Sequence, residues 1–306
     1  MGLLSALFGG GKPEENQQEK QEQKNFEILK YDGIRARNMN QLAYAAKCLE
    51  QAAALRDDAE TLQFLADVYI KMNRMPDARI VLDKLKALEP GNVRALLTLA
   101  HVCYMQEDYE GVKAVCQQVI GQDADNAEAY YLAAKAEYEL RNDLQAIVLS
   151  TKALALNEGF IPAYQFRAEV LWKMRQAKEA LEDLDRILAS NPEEEEALLL
   201  KGTIEAAQGN AGEAYACIDK VTEVNPFNEK AYLLKGGMLC EEKAFGKAIE
   251  VYTEALELMP GHAVFYQERG RVRLLAGDKD GSVEDMKKVI ELNPESGQHI
   301  NGEFKN

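Results

Sequence analysis

The chain has little of what chemical sites are usually built from. Its three histidines, His101, His262 and His299, show no ligand spacing between them, so no zinc site is expected and no metal ligand is assigned. Its five cysteines, Cys48, Cys103, Cys116, Cys217 and Cys240, form no CxxC pair. An odd, scattered set of this kind reads as reduced and mostly buried thiols in a reducing compartment. No run approaches the roughly 20 apolar residues that a membrane span needs. Basic residues are outnumbered, with 36 Lys and Arg against 51 Asp and Glu and a formal charge of -15. That balance argues against nucleic acid as a partner, because such binding concentrates Lys and Arg on one face. It also argues against purely electrostatic docking on anionic lipid. The start, Met1 to Phe8, lacks the basic and long apolar regions of a secretory signal, and cytoplasmic residence is the resulting expectation.

What the chain does have is a period of 34 residues. Pro90, Ala124, Glu158, Pro192, Pro226, Pro260 and Pro294 stand one period apart. The same spacing joins Ala66, Ala100, Ala134, Ala168, Gly202, Gly236 and Gly270, all Ala or Gly, and joins Ala78, Val112, Ala146, Ala180, Ala214, Ala248 and Ser282. Two small-residue columns in register define stacked helix pairs, because helices approach closely only where the contact residue lacks bulk. A large side chain at such a point, Gly236→Leu for instance, is expected to cost about 1–3 kcal/mol by overpacking.

The period divides the chain. Residues 1–25 open with Leu3, Leu4, Leu7 and Phe8, pass through Gly9, Gly10 and Gly11, and continue as a Gln/Glu/Lys-rich run expected to be a flexible or frayed-helical tail. Residues 26–58 form a first unit about one residue short. Strict windows follow at 59–92, 93–126, 127–160, 161–194, 195–228, 229–262 and 263–296, with 297–306 as a C-terminal tail. Each window predicts two amphipathic helices of about 14 residues. Turn residues separate them at Asn73, Asp108, Asn142-Asp143, Gly209-Asn210 and Gly277-Asp278, and Asn-Pro pairs stop the second helices.

Within one window, Tyr232, Lys235-Gly236, Ala248, Tyr252, Ala255 and Pro260 follow the tetratricopeptide pattern; in another, Leu62, Leu65-Ala66, Tyr69, Ala78, Leu82 and Pro90 do. The chain resembles a tetratricopeptide repeat protein of about eight repeats, similar to bacterial-type adaptors of that family. Cys116, Ser150 and Glu205 depart from its apolar columns. The resemblance implies an all-α, right-handed superhelical solenoid, with first helices lining a concave groove that binds a protein or peptide. No cofactor is implied.

If that groove is used, one stripe of residues stands out. Tyr104, Tyr138 and Trp172 are one period apart near the ends of first helices. His101, Lys135 and Glu169 stand one turn earlier, and Leu97, Tyr131 and Gln165 a further turn back. These rings either pack between adjacent first helices or meet a partner, and Leu132, Phe166 and Leu200, expected to supply the packing face of the same helices, leave the second reading open. Tyr and Trp are frequent anchors of binding hot spots. At about 10 Å between helices the stripe would run about 20 Å, enough for about six extended residues. The family's clamp for acidic C-terminal peptides uses Lys and Asn on successive first helices. The matching positions hold Gln63, Asp67 and Thr98, or in the next frame Leu97, His101 and Leu132, which lack that chemistry.

Other features have plainer readings. Glu193 to Glu196 opens a first helix, where carboxylates complement the helix dipole. Gly9-Gly10-Gly11-Lys12 lacks the spacing and the Ser/Thr of a phosphate loop and reads as a linker. Residues 1–8 admit a membrane-surface contact, with a disordered start preferred. Val283, Met286 and Val289 in the last helix admit a weak end-to-end homodimer. No nucleophile and base are placed together, since Cys103 and His101 are too close on one helix to face each other, so the chain reads as non-catalytic. A scaffold or adaptor is expected. The alternative is a structural subunit of a larger complex docking through its convex face, the backs of the second helices, or through its ends.

Overall fold

In a computed structural model, residues 13–294 are described. They form sixteen α-helices, with no strand among the described residues. Two compact units divide the chain at Phe160 and Ile161. The first contains α1 (Pro13–Asn38), α2 (Leu42–Leu55), α3 (Ala59–Lys71), α4 (Met75–Leu88), α5 (Val93–Met105), α6 (Tyr109–Gln122), α7 (Ala127–Glu139) and α8 (Asp143–Leu156). The second contains α9 (Ile161–Lys173), α10 (Ala177–Ser190), α11 (Glu195–Ala207), α12 (Ala211–Val224), α13 (Glu229–Glu241), α14 (Phe245–Leu258), α15 (Ala263–Leu275) and α16 (Lys279–Leu292). Within each unit every helix packs on the next in sequence. First helices also touch one another, α1 on α3 and α5 on α7 in one unit, α9 on α11 and α11 on α13 in the other. This is an all-α repeat solenoid.

The small columns are the seams of that packing. Ala66, Ala100, Ala134 and Ala168 are fully buried, as are Ala78, Val112, Ala146, Ala180, Ala214 and Ala248. Around them in the first unit stand Leu62, Leu82, Leu96, Leu99 and Leu132, and in the second Leu198, Ile218, Tyr252 and Phe265. The departures are accommodated locally. Ser150 donates its hydroxyl to the Ala146 carbonyl at 2.8 Å, and the Glu205 carboxylate accepts from Asn210 at 2.7 Å. All five cysteines are unpaired and four are buried. Burial pushes the Cys116 thiol up to about 12, so it stays protonated.

Helix starts are fixed by caps. Asp58, Asn92, Asp108, Asn126, Asn228 and Asp278 each accept the backbone N–H three residues on, satisfying donors the helix leaves unpaired. Between the helices of a pair the chain enters the left-handed region at Asn73, Glu107, Arg141, Arg175, Gly209, Lys243 and Gly277, again one period apart. Asn40 holds that place in the first pair, one residue short of the period. At these points the following N–H closes onto a carbonyl of the last turn, as Arg74 does on Tyr69 at 2.8 Å.

The segment 13–25, expected as a flexible or frayed-helical tail, belongs to α1. Gln, Glu and Lys are good helix formers, and proline is tolerated in a first turn, so absence of apolar residues does not prevent helix here. Residues 1–12 and 295–306 lie outside the described residues.

Candidate functional site

In the first unit the stripe is brought together on α5 and α7, and its charges and rings satisfy one another. The Lys135 ammonium lies 4.2 Å from the centroid of the Tyr104 ring and 5.8 Å from that of Tyr131. Tyr104 also meets Tyr109 edge to face at 5.6 Å and donates its hydroxyl to Glu139 at 3.2 Å. Burial and the adjacent Glu139 carboxylate raise the Tyr104 phenol well above its ordinary value, so it remains a donor. Tyr131 meets Phe160 edge to face at 5.1 Å. His101 is exposed, with Nε2 3.1 Å from a Glu128 oxygen, and Leu97 packs on the core. Tyr138 is half-buried. Tyr104 therefore differs from the free anchor that spacing alone suggests, because a cation on the neighbouring helix already covers one ring face.

A second concavity of this unit, about 470 Å³, lies on α1, α3 and α5. Gln63, Asp67 and Thr98 line it together with Arg37, Phe64 and Arg94. Arg37 pairs with Asp67 and lies 5.2 Å from the Phe64 ring centroid. A carboxylate already neutralised by an arginine stands where an acidic peptide would need a free cation.

In the second unit the predicted residues meet an open surface. Gln165, Glu169 and Trp172 of α9 line a concavity of about 400 Å³ with Leu199, Leu200 and Thr203 of α11 and Leu234 of α13. Glu196, Lys230 and Lys173 stand at its edge. Gln165 donates its amide to Glu169 at 3.0 Å, which orients that carboxylate. Trp172, Leu199, Leu200 and Leu234 are all half-buried, so apolar surface remains in contact with water. Leu200, expected in the packing face, lines the concavity instead, while Leu198 joins Ala197 and Ile204 among the buried residues of α11. Leu199, Lys230 and Leu234 lie outside the column that joins Tyr104, Tyr138 and Trp172. Their signal lies one period on, where Gln165 is succeeded by Leu199 and Phe166 by Leu200 and then Leu234.

Among the described residues, no group of three or more His, Cys, Asp or Glu is placed to hold a metal. No described helix is long and apolar enough to cross a membrane.

Family models for the tetratricopeptide repeat match residues 84–136, 171–236 and 263–296. The chain belongs to the tetratricopeptide repeat family. Solved structures agree on the fold of this tetratricopeptide protein. A tetratricopeptide repeat protein from Parabacteroides merdae is similar at 18% identity with a TM-score of 0.59, covering 77% of this chain and 93% of its own. PilF from Pseudomonas aeruginosa is similar at 17% identity and a TM-score of 0.57, over 71% of this chain and 99% of its own. PilW, described as a widely conserved type IV pilus biogenesis factor, matches at 18% identity and a TM-score of 0.57, over 66% of this chain and 94% of its own. At such identities the likeness is one of fold. Tetratricopeptide folds serve generally as protein interaction scaffolds, and this chain carries that architecture over most of its length.

Proposed function

We propose that this tetratricopeptide protein is a non-catalytic adaptor that holds an extended segment of a partner protein against its first helices. The concavity on α9, α11 and α13 is the anchoring point. The observation that carries this reading is the juxtaposition of Trp172 with Leu199, Leu200 and Leu234 in one open depression with Lys and Glu at its edge. Such a site takes an aliphatic or aromatic side chain of the partner, while the rim carboxylates and ammonium groups bind its backbone and polar neighbours. The face formed by Tyr104, Tyr131, Lys135 and Tyr138, with Leu97 and His101, is a secondary contact, its rings already engaged. Selection of segments from a random peptide library on the full chain tests the reading. The selected segments should lose binding to a Trp172→Ala/Leu234→Ala variant of unchanged helix content and keep it on Tyr104→Ala; retention by the first variant overturns the proposed anchor.

A second reading has its own observation. On the second helices α4 and α8, Ile80 and Val148 are each 58% exposed, and Leu144 is 71% exposed. An apolar row there supports docking of the first unit, through the backs of its second helices, onto a larger assembly. Selected segments that compete with an Ile80→Glu/Val148→Glu change, and not with Trp172→Ala, would favour it. Exposed Leu274, Leu275 and Val283 on α15 and α16 support the end-to-end pairing of two copies, which light scattering at high concentration tests: a monomer throughout excludes it. The unpaired, largely buried thiols support residence in a reducing compartment such as the cytoplasm.

A further inference from the structure

The concavity on α9, α11 and α13 carries charge that the chain itself leaves unpaired. Glu169 and Glu196 are both exposed, and among the described residues neither makes an ion pair. The Glu169 carboxylate is nevertheless held in place, because Gln165, one turn earlier on α9, donates its amide to it at 3.0 Å. On the far helix, α13, the exposed Lys230 also pairs with no described carboxylate.

Gln165 is left unsatisfied by this arrangement. With Nε2 turned to Glu169, its Oε1 is fully buried and accepts no hydrogen bond. A buried acceptor without a donor is costly, and native structures hold few of them. Reversing the amide does not help, since Oε1 would then face the Glu169 carboxylate, acceptor against acceptor. A bound cation with several N–H donors removes the conflict. It takes the carboxylate from Gln165 and frees the amide to swing toward the groove, where Oε1 accepts a second N–H. The arginine guanidinium suits this task, because its planar fork presents five donors and meets a carboxylate with two at once.

We infer that the concavity selects a basic-apolar segment of the partner. An aliphatic or aromatic side chain packs on Trp172, Leu199, Leu200 and Leu234, and two residues away an arginine binds Glu169 and Gln165. Alternate side chains of an extended chain share one face about 7 Å apart, and Glu169 precedes Trp172 by about 4.5 Å along the helix axis, so one segment reaches both. Lys230 repels a cation at the α13 side, which directs the arginine toward α9. The formal charge of -15 steers a basic segment toward the chain and an acidic one away. The inference rests on the reading of this concavity as the anchoring point.

Selection from a random peptide library on the full chain, restricted to segments lost on Trp172→Ala/Leu234→Ala, tests it. Those segments should carry arginine two positions from an aliphatic or aromatic residue. One of them is then compared by calorimetry with the same segment bearing glutamine in place of that arginine. Wild type should prefer the arginine form about tenfold at low salt, with the preference shrinking as salt is added. Glu169→Gln and Gln165→Leu, each of unchanged helix content, should reduce that preference, and Glu169→Gln should bind the two forms alike. Segments that depend on Trp172 and Leu234 but lack arginine at that spacing overturn the inference and leave the anchoring point standing. So does an arginine preference unchanged by Glu169→Gln or by Gln165→Leu. A selection that yields no segment dependent on Trp172 and Leu234 overturns the anchoring point and the inference together.

Discussion

Gly236 of α13 lies directly against the ring of Tyr252 on α14: a Cβ placed there would come within 2.7 Å of the ring's Cε1 and closer still to its outer atoms. Tyr252 is 1% exposed and also meets Phe265, so the ring has nowhere to withdraw. Gly202 occupies the same column one period earlier, yet a Cβ there would approach nothing nearer than 3.4 Å. The two glycines should therefore respond oppositely to alanine. Gly236→Ala should destabilise by about 1–3 kcal/mol through overpacking. Gly202→Ala should stabilise by about 0.5–1 kcal/mol through helix propensity. Urea unfolding of both variants checks this, and shifts of the same sign would contradict it.

The left-handed turn positions predict a gain in stability. Arg141 and Lys243 hold φ of 66° and 58°, a conformation that strains a side chain bearing a Cβ, where Gly209 and Gly277 carry none. Arg141→Gly and Lys243→Gly should each stabilise by about 0.5–1 kcal/mol, the strain relieved exceeding the added freedom of the unfolded chain. The denaturant midpoint should rise with an unchanged slope; a lower midpoint would show that these turns are not strained.

Asp285, 3% exposed at its side chain, receives two hydrogen bonds from Arg269, at 3.0 and 2.7 Å, and one from Arg273 at 3.1 Å. Removing the carboxylate alone leaves the Arg269 guanidinium desolvated and uncompensated. Asp285→Ala should destabilise by about 3–5 kcal/mol, whereas Arg269→Met/Asp285→Leu should recover most of that loss. Thermal melts of the two variants decide; equal losses would mean the pair contributes no more than its volume.

Acid should weaken the first unit through two caps. Asp58 is desolvated by partial burial, which raises its pKa, but bonds from Lys30 and Thr61 outweigh this and hold it below the usual range. Asp108 is lowered by the Gly111 N–H and then by Arg79, at 2.7 Å. A depressed folded pKa gives stability that is full above the unfolded value of about 3.9 and is lost as pH falls through the folded value. The difference in melting temperature between wild type and Asp58→Asn/Asp108→Asn should shrink from pH 5 to pH 2.5. A difference independent of pH would contradict the assignment.

Period and composition alone make the helix pairs, their seams and their turns legible, because Ala78, Gly236 and Pro260 hold their places for reasons of backbone approach that repeat with the unit. Individual side-chain environments are less legible. Tyr104 and Trp172 occupy the same column, yet Lys135 covers the first ring, while the second borders leucines in an open depression. What separates them is the identity of residues on the adjacent first helix, which a single column does not record. The start of α1 at Pro13 is less legible, because a run of Gln, Glu and Lys suits a flexible tail as well as a frayed helix, and the anchoring of its later turns by Phe26 and Ala36 is a property of the packing.

Trp172 is the chain's single tryptophan, so its emission reports on the proposed anchor alone. The most direct measurement is a titration of the full chain with a library-selected segment lacking tryptophan, followed by intrinsic fluorescence and by calorimetry. Binding in the α9–α11–α13 concavity predicts a saturable change in Trp172 emission with the same midpoint as the heat. Full calorimetric binding with unchanged Trp172 emission would contradict it.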